Sequence, residues 1–354
     1  MRRELGIFFA VLVMCGFLFW CNHDFGKAAN ILNVSRQAAM LGIFAIGSSF
    51  VIITGGIDLS VGAIIGLTGV LIAKISSPSE HCLHHPLWVG ICIAMAVALL
   101  IGLIQGLLIS KLKLQPFIVT LAGMLLVRGL AQIITHGGTL GLGSSPLINL
   151  STEGLFHYGY HAILAYPVLI FIGVILLAGY LLHGTVFGRY VFAIGGNRDA
   201  AQYSGIPVDR VETLTYVISA GLAGVAGICY ASYIGQMTYN VGNGYELNAI
   251  AAAVIGGVSL RGGEGSVPGA IIGSIMMEVI QNGIILFKWV YYTAGQRQVF
   301  RLSSNWTYFI TGAVILLAVL IDQLANILNK RKRLKRQAQI AASKQPPPAP
   351  LPSV

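Results

Sequence analysis

A carboxyl group and a hydroxyl group interrupt two apolar runs near the start of the chain. The segment Gly55–Gly66 reads GGIDLSVGAIIG and holds Asp58 and Ser60. The glycine pair breaks one helix, and a side-chain oxygen of Asp58 or Ser60 can cap the next helix by accepting from its first amide groups. An ionisable group is costly in lipid, so Asp58 must face protein or water. Two roles stay open for this segment, a structural cap and a place on a solute pathway.

A similar segment recurs near the other end of the chain. Gly262–Gly273 reads GGEGSVPGAIIG, again with an acid two residues before a serine, and Pro268 suits the first turn of a helix. Paired helix breaks are typical of transporters with duplicated halves. Small residues four apart also let helix backbones approach closely. Such pairs are Gly62 and Gly66, Gly102 and Gly106, Ala220 and Gly224, and Gly269 and Gly273.

Polar residues inside the apolar runs are candidates for a solute pathway. Glu278, Gln281 and Asn282 have the spacing that places side chains on one face of a helix. That face is expected to point into the helix bundle rather than at lipid. Arg128 can pair with Glu278 or extend to the membrane surface. The alternative to a pathway role is hydrogen bonding between helices.

A stretch of mixed polarity separates two apolar runs in the middle of the chain, at Gly184–Ile206. Asn197 is a good N-cap residue and predicts a short surface helix over Asn197–Ser204. The small residues at its centre would let this helix dock into a groove on another protein. An ordinary amphipathic loop is the alternative.

The elements that position these residues are membrane helices. The chain has 354 residues, of which 56% are hydrophobic and 10% charged, whereas soluble domains have about 25% charged residues. Apolar runs long enough to cross a bilayer recur along the chain. We predict an all-α polytopic membrane protein with about ten transmembrane helices, some broken or re-entrant. The predicted spans are Leu5–Cys21, Ile31–Thr54, Leu59–Ile75, Leu87–Ser110, Phe117–Thr135, Ala162–Leu182, Leu214–Ile234, Leu247–Leu260, Val267–Val290 and Trp306–Leu324.

The charges predict the orientation of these spans. The net charge is +10, and residues 326–354 hold seven Lys and Arg and no acid. A basic tail beside a terminal apolar helix favours contact with anionic lipid over nucleic acid. The segments between spans carry more Lys and Arg on the side of the N-terminus, which predicts that both termini are cytoplasmic. The predicted domains are a transmembrane domain over 1–325 and a basic, Pro-rich cytoplasmic tail over 326–354 that is expected to be disordered.

Three motifs of enzymes are absent from the sequence. No G-x-x-x-x-G-K-[ST] occurs, so the chain is not expected to bind ATP phosphates in the manner of a P-loop. No H-E-x-x-H metal motif and no G-x-S-x-G nucleophile elbow occur either. The sequence therefore predicts a protein that is not an enzyme, with no cofactor and no metal site of its own.

Four segments in order carry a resemblance to a known family. Gly55–Gly66, Gly188–Ile206, Gly256–Gly263 and Ser304–Thr307 resemble the ribose-type permease subunits of ATP-binding cassette importers, which serve ribose, xylose, arabinose and galactosides. The resemblance covers about Ile31 to Asp322. It implies a multi-pass protein of the bacterial inner membrane that translocates a monosaccharide delivered by a periplasmic sugar-binding protein.

The resemblance also implies partners and the residues that contact them. Two permease subunits, identical or closely related, would assemble with two ATP-binding subunits, and ATP would be bound by those subunits alone. Asn197–Gly205 would be the coupling helix that docks on the ATP-binding subunit. The residues implied in coupling are Gly188, Arg189, Gly195, Asn197, Ala200, Ala201 and Gly205.

Two other functions stay open on the residues alone. A stand-alone, ion-coupled secondary transporter would use Asp58 or Glu278 as a proton or sodium site and would transport without a partner. An enzyme with an intramembrane site would need a nucleophile or a metal-ligand set. The pathway and helix-break candidates for any transporter are Asp58, Ser60, Arg128, Glu278, Gln281 and Asn282.

Overall fold

The computed structural model describes residues 2–78, 82–158, 161–293 and 296–301, with positions 306–307, 309–314, 316–317, 320 and 323. Most of the described chain is helical. The helices are α1 Arg2–Cys21, α2 Ala28–Ile53, α3 Val61–Ser76, α4 Leu87–Ser110, α5 Pro116–Thr135, α6 Asn149–Thr152, α7 Tyr166–Gly179, α8 Val186–Gly196, α9 Arg198–Tyr203, α10 Val208–Ile234, α11 Tyr245–Ile255 and α12 Val267–Leu286. A π-helical turn, Tyr180–Gly184, extends α7, and a 3₁₀ turn follows α1 at His23–Gly26.

Three antiparallel two-stranded ribbons correct the expectation of an all-α chain. They pair β1 Thr139–Gly141 with β4 Gln236–Thr238, β2 Gly154–Tyr158 with β3 His161–Ala165, and β5 Lys288–Thr293 with β6 Gln296–Arg301. The helices of two predicted spans are therefore shorter than predicted. The span from Ala162 begins as strand β3, so its helix starts at Tyr166, and the span to Val290 leaves α12 at Leu286.

Seven helices in the described part of the chain are long and apolar enough to cross a membrane, α1, α2, α4, α5, α7 with its π-turn, α10 and α12. The predicted spans over Leu59–Ile75 and Leu247–Leu260 are the shorter apolar helices α3 and α11. The last predicted span, Trp306–Leu324, lies partly outside the described residues, and the tail 326–354 lies wholly outside them. The predicted count of ten spans is therefore not reached within the described chain.

Helix α2 is the centre of the bundle. Every residue from Ala38 to Ile53 is buried, because α10, α11, α12 and α7 all pack around this helix. In contrast, α1, α4 and α5 each expose large apolar side chains, such as Phe9, Leu103 and Leu126. This distribution fits a helix bundle whose outer surface meets lipid tails rather than water.

Small residues set the closest helix contacts, as their spacing predicts. A β-carbon added at Gly106 of α4 would lie 2.8 Å from Thr213 O of α10, and one at Gly102 would lie 2.7 Å from Tyr216 O. Gly269 and Gly273 of α12 likewise face backbone atoms of Gly256 and Ala252 at the end of α11. The backbones touch because these positions carry no side chain.

We expect Gly106→Val to lower the free energy of unfolding by about 1–3 kcal/mol or more, since the added methyl groups would meet the backbone of α10. Gly173→Val is the matched control, because a β-carbon at Gly173 of α7 meets nothing within 4 Å. Thermal unfolding of the purified protein in detergent compares the two. Equal midpoints for both variants would contradict the close contact of α4 with α10.

Candidate functional site: a docking helix joined to broken helices

The predicted short surface helix is present as α9. Asn197 Oδ1 accepts a hydrogen bond from Ala200 N at 2.9 Å, which is the N-cap bond that the sequence predicts. The helix spans Arg198–Tyr203 and is followed by Gly205, whose φ is +83°. Only glycine adopts that angle without strain, so Gly205 lets the chain turn sharply toward α10.

The residues implied in coupling divide into an exposed group and an internal group. Arg189, Asn197, Ala200 and Gly205 are exposed. Ala201 is only 5% exposed and packs into the core of its own chain. Its burial corrects the expectation that it lies against a partner, because the helix turns that face inward.

Gly188 and Gly195 are also internal. A β-carbon at Gly188 would meet the backbone of Leu182, and one at Gly195 would meet Ile53 O and Gly263 N. These glycines permit close backbone approach inside the chain. Tyr203 is 91% exposed at the end of α9, and the sequence analysis missed it. The signal was available, since a large aromatic residue within a predicted surface helix is typical of a protein contact.

An ion-pair network fixes α9 to α10 and to the segment between α4 and α5. Arg198 Nε and Nη2 donate to the two carboxylate oxygens of Glu212 at 2.7 and 3.1 Å. Asp209 lies 3.4 Å from Arg198 and 2.5 Å from Lys113 Nζ. The hydrogen bond to Glu212 raises the pKa of Arg198 further above its ordinary value. The guanidinium therefore stays charged, and the bidentate geometry fixes the start of α9 in direction as well as distance.

One face of α10 extends this connection into the bundle. Glu212, Tyr216 and Ser219 follow each other at four- and three-residue spacing, so they lie on one side of the helix. A β-carbon at Gly56 would meet Tyr216 Oη. Ser219 Oγ donates to Asp58 Oδ2 at 2.8 Å. The contacts of this face therefore lead from α9 to the break between α2 and α3.

Asp58 is the centre of a buried polar cluster. It is 2% exposed, and its Oδ1 accepts from Ser60 N at 2.9 Å and from Ser60 Oγ at 2.6 Å. Ser60 is the N-cap residue of α3, but neither side chain makes the cap bond that the sequence predicted. The hydroxyls of Ser60 and Ser219 donate hydrogen bonds to the carboxylate of Asp58 instead. Ser60 Oγ also lies 3.0 Å from Gln105 of α4.

The two similar glycine-rich segments meet each other. Gly263 N donates to Ile53 O at 2.8 Å, which joins the break after α11 to the end of α2. A β-carbon at Gly262 would lie 3.0 Å from Gly55 N. Gly195 packs against the same two segments, at Ile53 and Gly263. We call this contact of Ile53–Gly55, Gly195–Gly196 and Gly262–Gly263 the glycine junction. It unites three of the four segments that carry the family resemblance. Ser266 follows the junction and caps α12 by accepting from Gly269 N at 3.1 Å, with Pro268 in the first turn.

Arg128 does not pair with Glu278. Its Nη1 donates to Tyr239 O at 3.3 Å, and its charge interacts with Glu246 at the start of α11. Glu246 is 7% exposed, accepts from Gly244 N at 3.2 Å and lies against Gly62 of α3. Glu246 was not predicted from the sequence, although an acid two residues after a glycine and before an apolar run repeats the pattern around Asp58.

The first turns of α3 and α11 therefore lie side by side within the bundle. Gly62 in the first turn of α3 contacts Gly242, and a β-carbon at Gly62 would meet the carboxylate of Glu246. Asp58 and Glu246 place one carboxyl group at the start of each short helix. This arrangement is favourable, because the amino end of a helix attracts negative charge. Both short helices thus begin inside the protein rather than at its surface.

The structure separates the polar residues of α12. Asn282 exchanges amide hydrogen bonds of 2.9 and 3.0 Å with Asn30 of α2, which is the hydrogen bonding between helices that the sequence left open as the alternative to a pathway. Glu278 and Gln281 instead border a cavity between α2, α10, α11 and α12. The other residues lining this cavity are Gln37, Leu41, Phe44, Tyr230, Tyr233, Ile234, Tyr245 and Asn248.

Comparison with known proteins decides the family. A family model described as "Branched-chain amino acid transport system / permease component" matches residues 30–319. The chain belongs to this family. The ribose import permease protein RbsC of Escherichia coli K12 is 36% identical over 313 residues, which cover 88% of this chain and 91% of the relative. RbsC of Bacillus subtilis is 37% identical, covering 91% and 93%, and the xylose permease XylH of E. coli K12 is 31% identical, covering 88% and 89%.

These relatives confirm the resemblance on which the sequence analysis relied, over most of the chain. They are named as permeases, so this permease component is a membrane transport subunit and not an enzyme. No solved structure matches the chain. The geometry described above therefore rests on the contacts of this chain alone.

The Arg198–Glu212 pair predicts a thermodynamic coupling. We expect Arg198→Gln and Glu212→Gln each to lower the unfolding temperature, and the double variant to lose less than the sum, with a coupling of about 1 kcal/mol. The measurement is a double-mutant cycle by thermal unfolding in detergent. Lys27→Gln is a control at the more exposed pair with Asp24, where a change within about 0.5 kcal/mol is expected. Additive losses at Arg198 and Glu212 would contradict the network.

Proposed function

We propose that this chain is the membrane-spanning permease subunit of an ATP-driven importer and that its cargo is a monosaccharide. The observation that carries the proposal is the match to ribose import permeases over about nine-tenths of both chains. The family description refers to branched-chain amino acids. The relatives that match along their length are named for ribose, for xylose and for galactose and methyl galactoside, so a sugar is the favoured cargo.

Helix α9 is the proposed docking site for the ATP-binding subunit. Its outward surface offers small residues and one aromatic anchor, Ala200, Gly205 and Tyr203, which suits insertion into a groove of a partner. The Arg198–Glu212 pair would transmit movement of α9 to α10, and the glycine junction would transmit it to α2 and α11. Because packed interfaces switch between discrete arrangements, a small displacement at α9 can bias the whole bundle.

The proposed setting is a bacterial inner membrane with both termini in the cytoplasm. Under that orientation α9 and the glycine junction lie on the cytoplasmic side, and the ribbon of β1 and β4 lies on the periplasmic side. Helices α3 and α11 then cross only part of the bilayer. Two copies of the chain, or this chain and a close paralogue, would assemble with two ATP-binding subunits and receive sugar from a periplasmic binding protein.

The contacts of Asp58 weigh against a stand-alone secondary transporter. Three donors, Ser60 N, Ser60 Oγ and Ser219 Oγ, occupy both carboxylate oxygens within 2.6–2.9 Å. A coupling ion at Asp58 would have to replace these bonds. The role of Asp58 as a structural anchor of the helix break explains its burial without an ion.

The docking proposal predicts loss of a partner. We expect Ala200→Arg to abolish co-purification of the ATP-binding subunit from detergent-solubilised membranes, and Tyr203→Ala to weaken it at least about tenfold, the effect of losing a buried aromatic anchor. Both side chains are exposed in this chain, so folding should be unaffected. The readout is the amount of ATP-binding subunit recovered per amount of permease.

The control is Thr152→Arg, which adds the same charge on an exposed residue of α6, outside α9. It should recover the ATP-binding subunit as the wild type does. Recovery of the same amount with Ala200→Arg would remove α9 from the interface. Failure of the intact wild type to recover any ATP-binding subunit would overturn the importer itself.

A further inference from the structure

The cavity between α2, α10, α11 and α12 contains two kinds of surface. Three aromatic rings form one wall, since Phe44 and Tyr245 stack at a centroid distance of 6.2 Å and an angle of 9°, and Tyr230 lies 4.9 Å from Tyr245. Four polar side chains form the rest, Gln37, Asn248, Glu278 and Gln281. Aromatic walls with a few convergent polar groups are typical of sites for small molecules.

Two polar groups at this cavity have no partner among the described residues. Glu278 is 6% exposed and makes no hydrogen bond or ion pair among the described residues. Gln281 Nε2 is a buried donor without an acceptor in the same part of the chain. A buried donor without an acceptor, such as Gln281 Nε2, costs about 1–3 kcal/mol, so native proteins seldom leave one unpaired. Both are explained when a bound molecule supplies the missing partners.

We infer that this cavity is a binding site for the transported sugar within the permease. The inference rests on the proposed function and names the residues that would recognise the cargo. A sugar hydroxyl both donates and accepts, so it can donate to the carboxylate of Glu278 and accept from Gln281 Nε2. The apolar C–H face of the sugar ring would lie against Tyr245 and Tyr230.

The polar groups favour a neutral polyhydroxylated ligand over a cation. A cation would satisfy Glu278 and would be attracted to the aromatic faces. A cation offers no acceptor to Gln281 Nε2, however, and it offers none to the amide donors of Gln37 and Asn248 either. Three amides and one carboxylate together supply donors and acceptors, as a set of hydroxyl groups requires.

The position of α11 connects this site to the docking helix. Tyr245 and Asn248 lie in the first turn of α11, which begins after Gly244 at φ +80°. The other end of α11 leads through Gly256–Gly257 into the glycine junction, where Gly263 bonds to Ile53. Movement of the glycine junction would therefore shift one wall of the cavity. The ATP-binding subunit would in this way change the contacts of the bound sugar through α9, the junction and α11.

Uptake by cells that express the permease with its ATP-binding and binding-protein partners tests the site. The probes are radiolabelled D-ribose, D-xylose and D-galactose. We expect two variants to keep the complex assembled, Gln281→Met and the double variant Tyr245→Phe with Tyr230→Phe. Co-purification of the ATP-binding subunit measures the assembly. Gln281→Met should lower uptake of the best probe about tenfold, since one hydrogen bond is lost. Tyr245→Ala should lower it further, and the phenylalanine variant should retain most of it because the ring faces stay.

The matched control is Gln132→Met, the same change at an exposed position of α5, which should leave uptake unchanged. Glu278→Gln should retain uptake within about threefold, because an amide oxygen still accepts from a hydroxyl. Abolition of uptake by Glu278→Gln alone, with Gln281→Met harmless, would overturn the neutral ligand in favour of a cation. Unchanged uptake in Gln281→Met and Tyr245→Ala would overturn the site and leave the importer standing. A wild type that takes up none of the three sugars would overturn both.

Discussion

Backbone groups at a helix break must find hydrogen-bond partners within the protein, and the fold depends on this constraint. The hydrogen bond from Gly263 N to Ile53 O shows how it is met. A helix that breaks inside a membrane exposes backbone groups that lipid cannot satisfy, so breaks are tolerated only where protein covers them. Here the break after α2 and the break after α11 cover each other. Thr120 Oγ1 of α5 lies 3.1 Å from Ile57 O at the first break and 2.9 Å from Pro116 O of its own helix, so its one proton is shared between these acceptors. The glycines are required because only a bare backbone lets three segments meet at this distance.

The same constraint explains why the docking helix is connected to the interior. Gly195 can reach the junction because α8 ends there, and α9 begins two residues later. Arg198 then fixes α9 to Glu212, and the face of α10 leads on to Tyr216 and the Asp58 cluster. One group of polar residues in the bundle, Asp58, Ser60 and Ser219, thus lies at a helix break. The large apolar surfaces of α1, α4 and α5 remain free of charge, as contact with lipid requires.

Local chemistry was predictable from the sequence, whereas partners across the bundle were not. The cap at Asn197 and the close packing of small residues depend on spacing alone, and both predictions are confirmed. Of the alternatives left open for Arg128, the pairing with Glu278 is not found, because its guanidinium donates to Tyr239 O and interacts with Glu246 instead. The strand over His161–Ala165 was assigned to a span because a short apolar strand and the start of an apolar helix have the same composition. The inward turn of Ala201 follows from tertiary packing, which a six-residue helix does not encode.

Movement of α9 is proposed to reach the rest of the bundle through the glycine junction, and two neighbouring glycines, Gly195 and Gly196, test this directly. A β-carbon at Gly195 would collide with Ile53 O and Gly263 N, whereas one at Gly196 meets nothing within 4 Å. The measurement is sugar uptake together with co-purification of the ATP-binding subunit, for Gly195→Ala and Gly196→Ala. The account predicts that both variants retain the ATP-binding subunit and that uptake falls only in Gly195→Ala. Uptake at the wild-type rate in Gly195→Ala would contradict it.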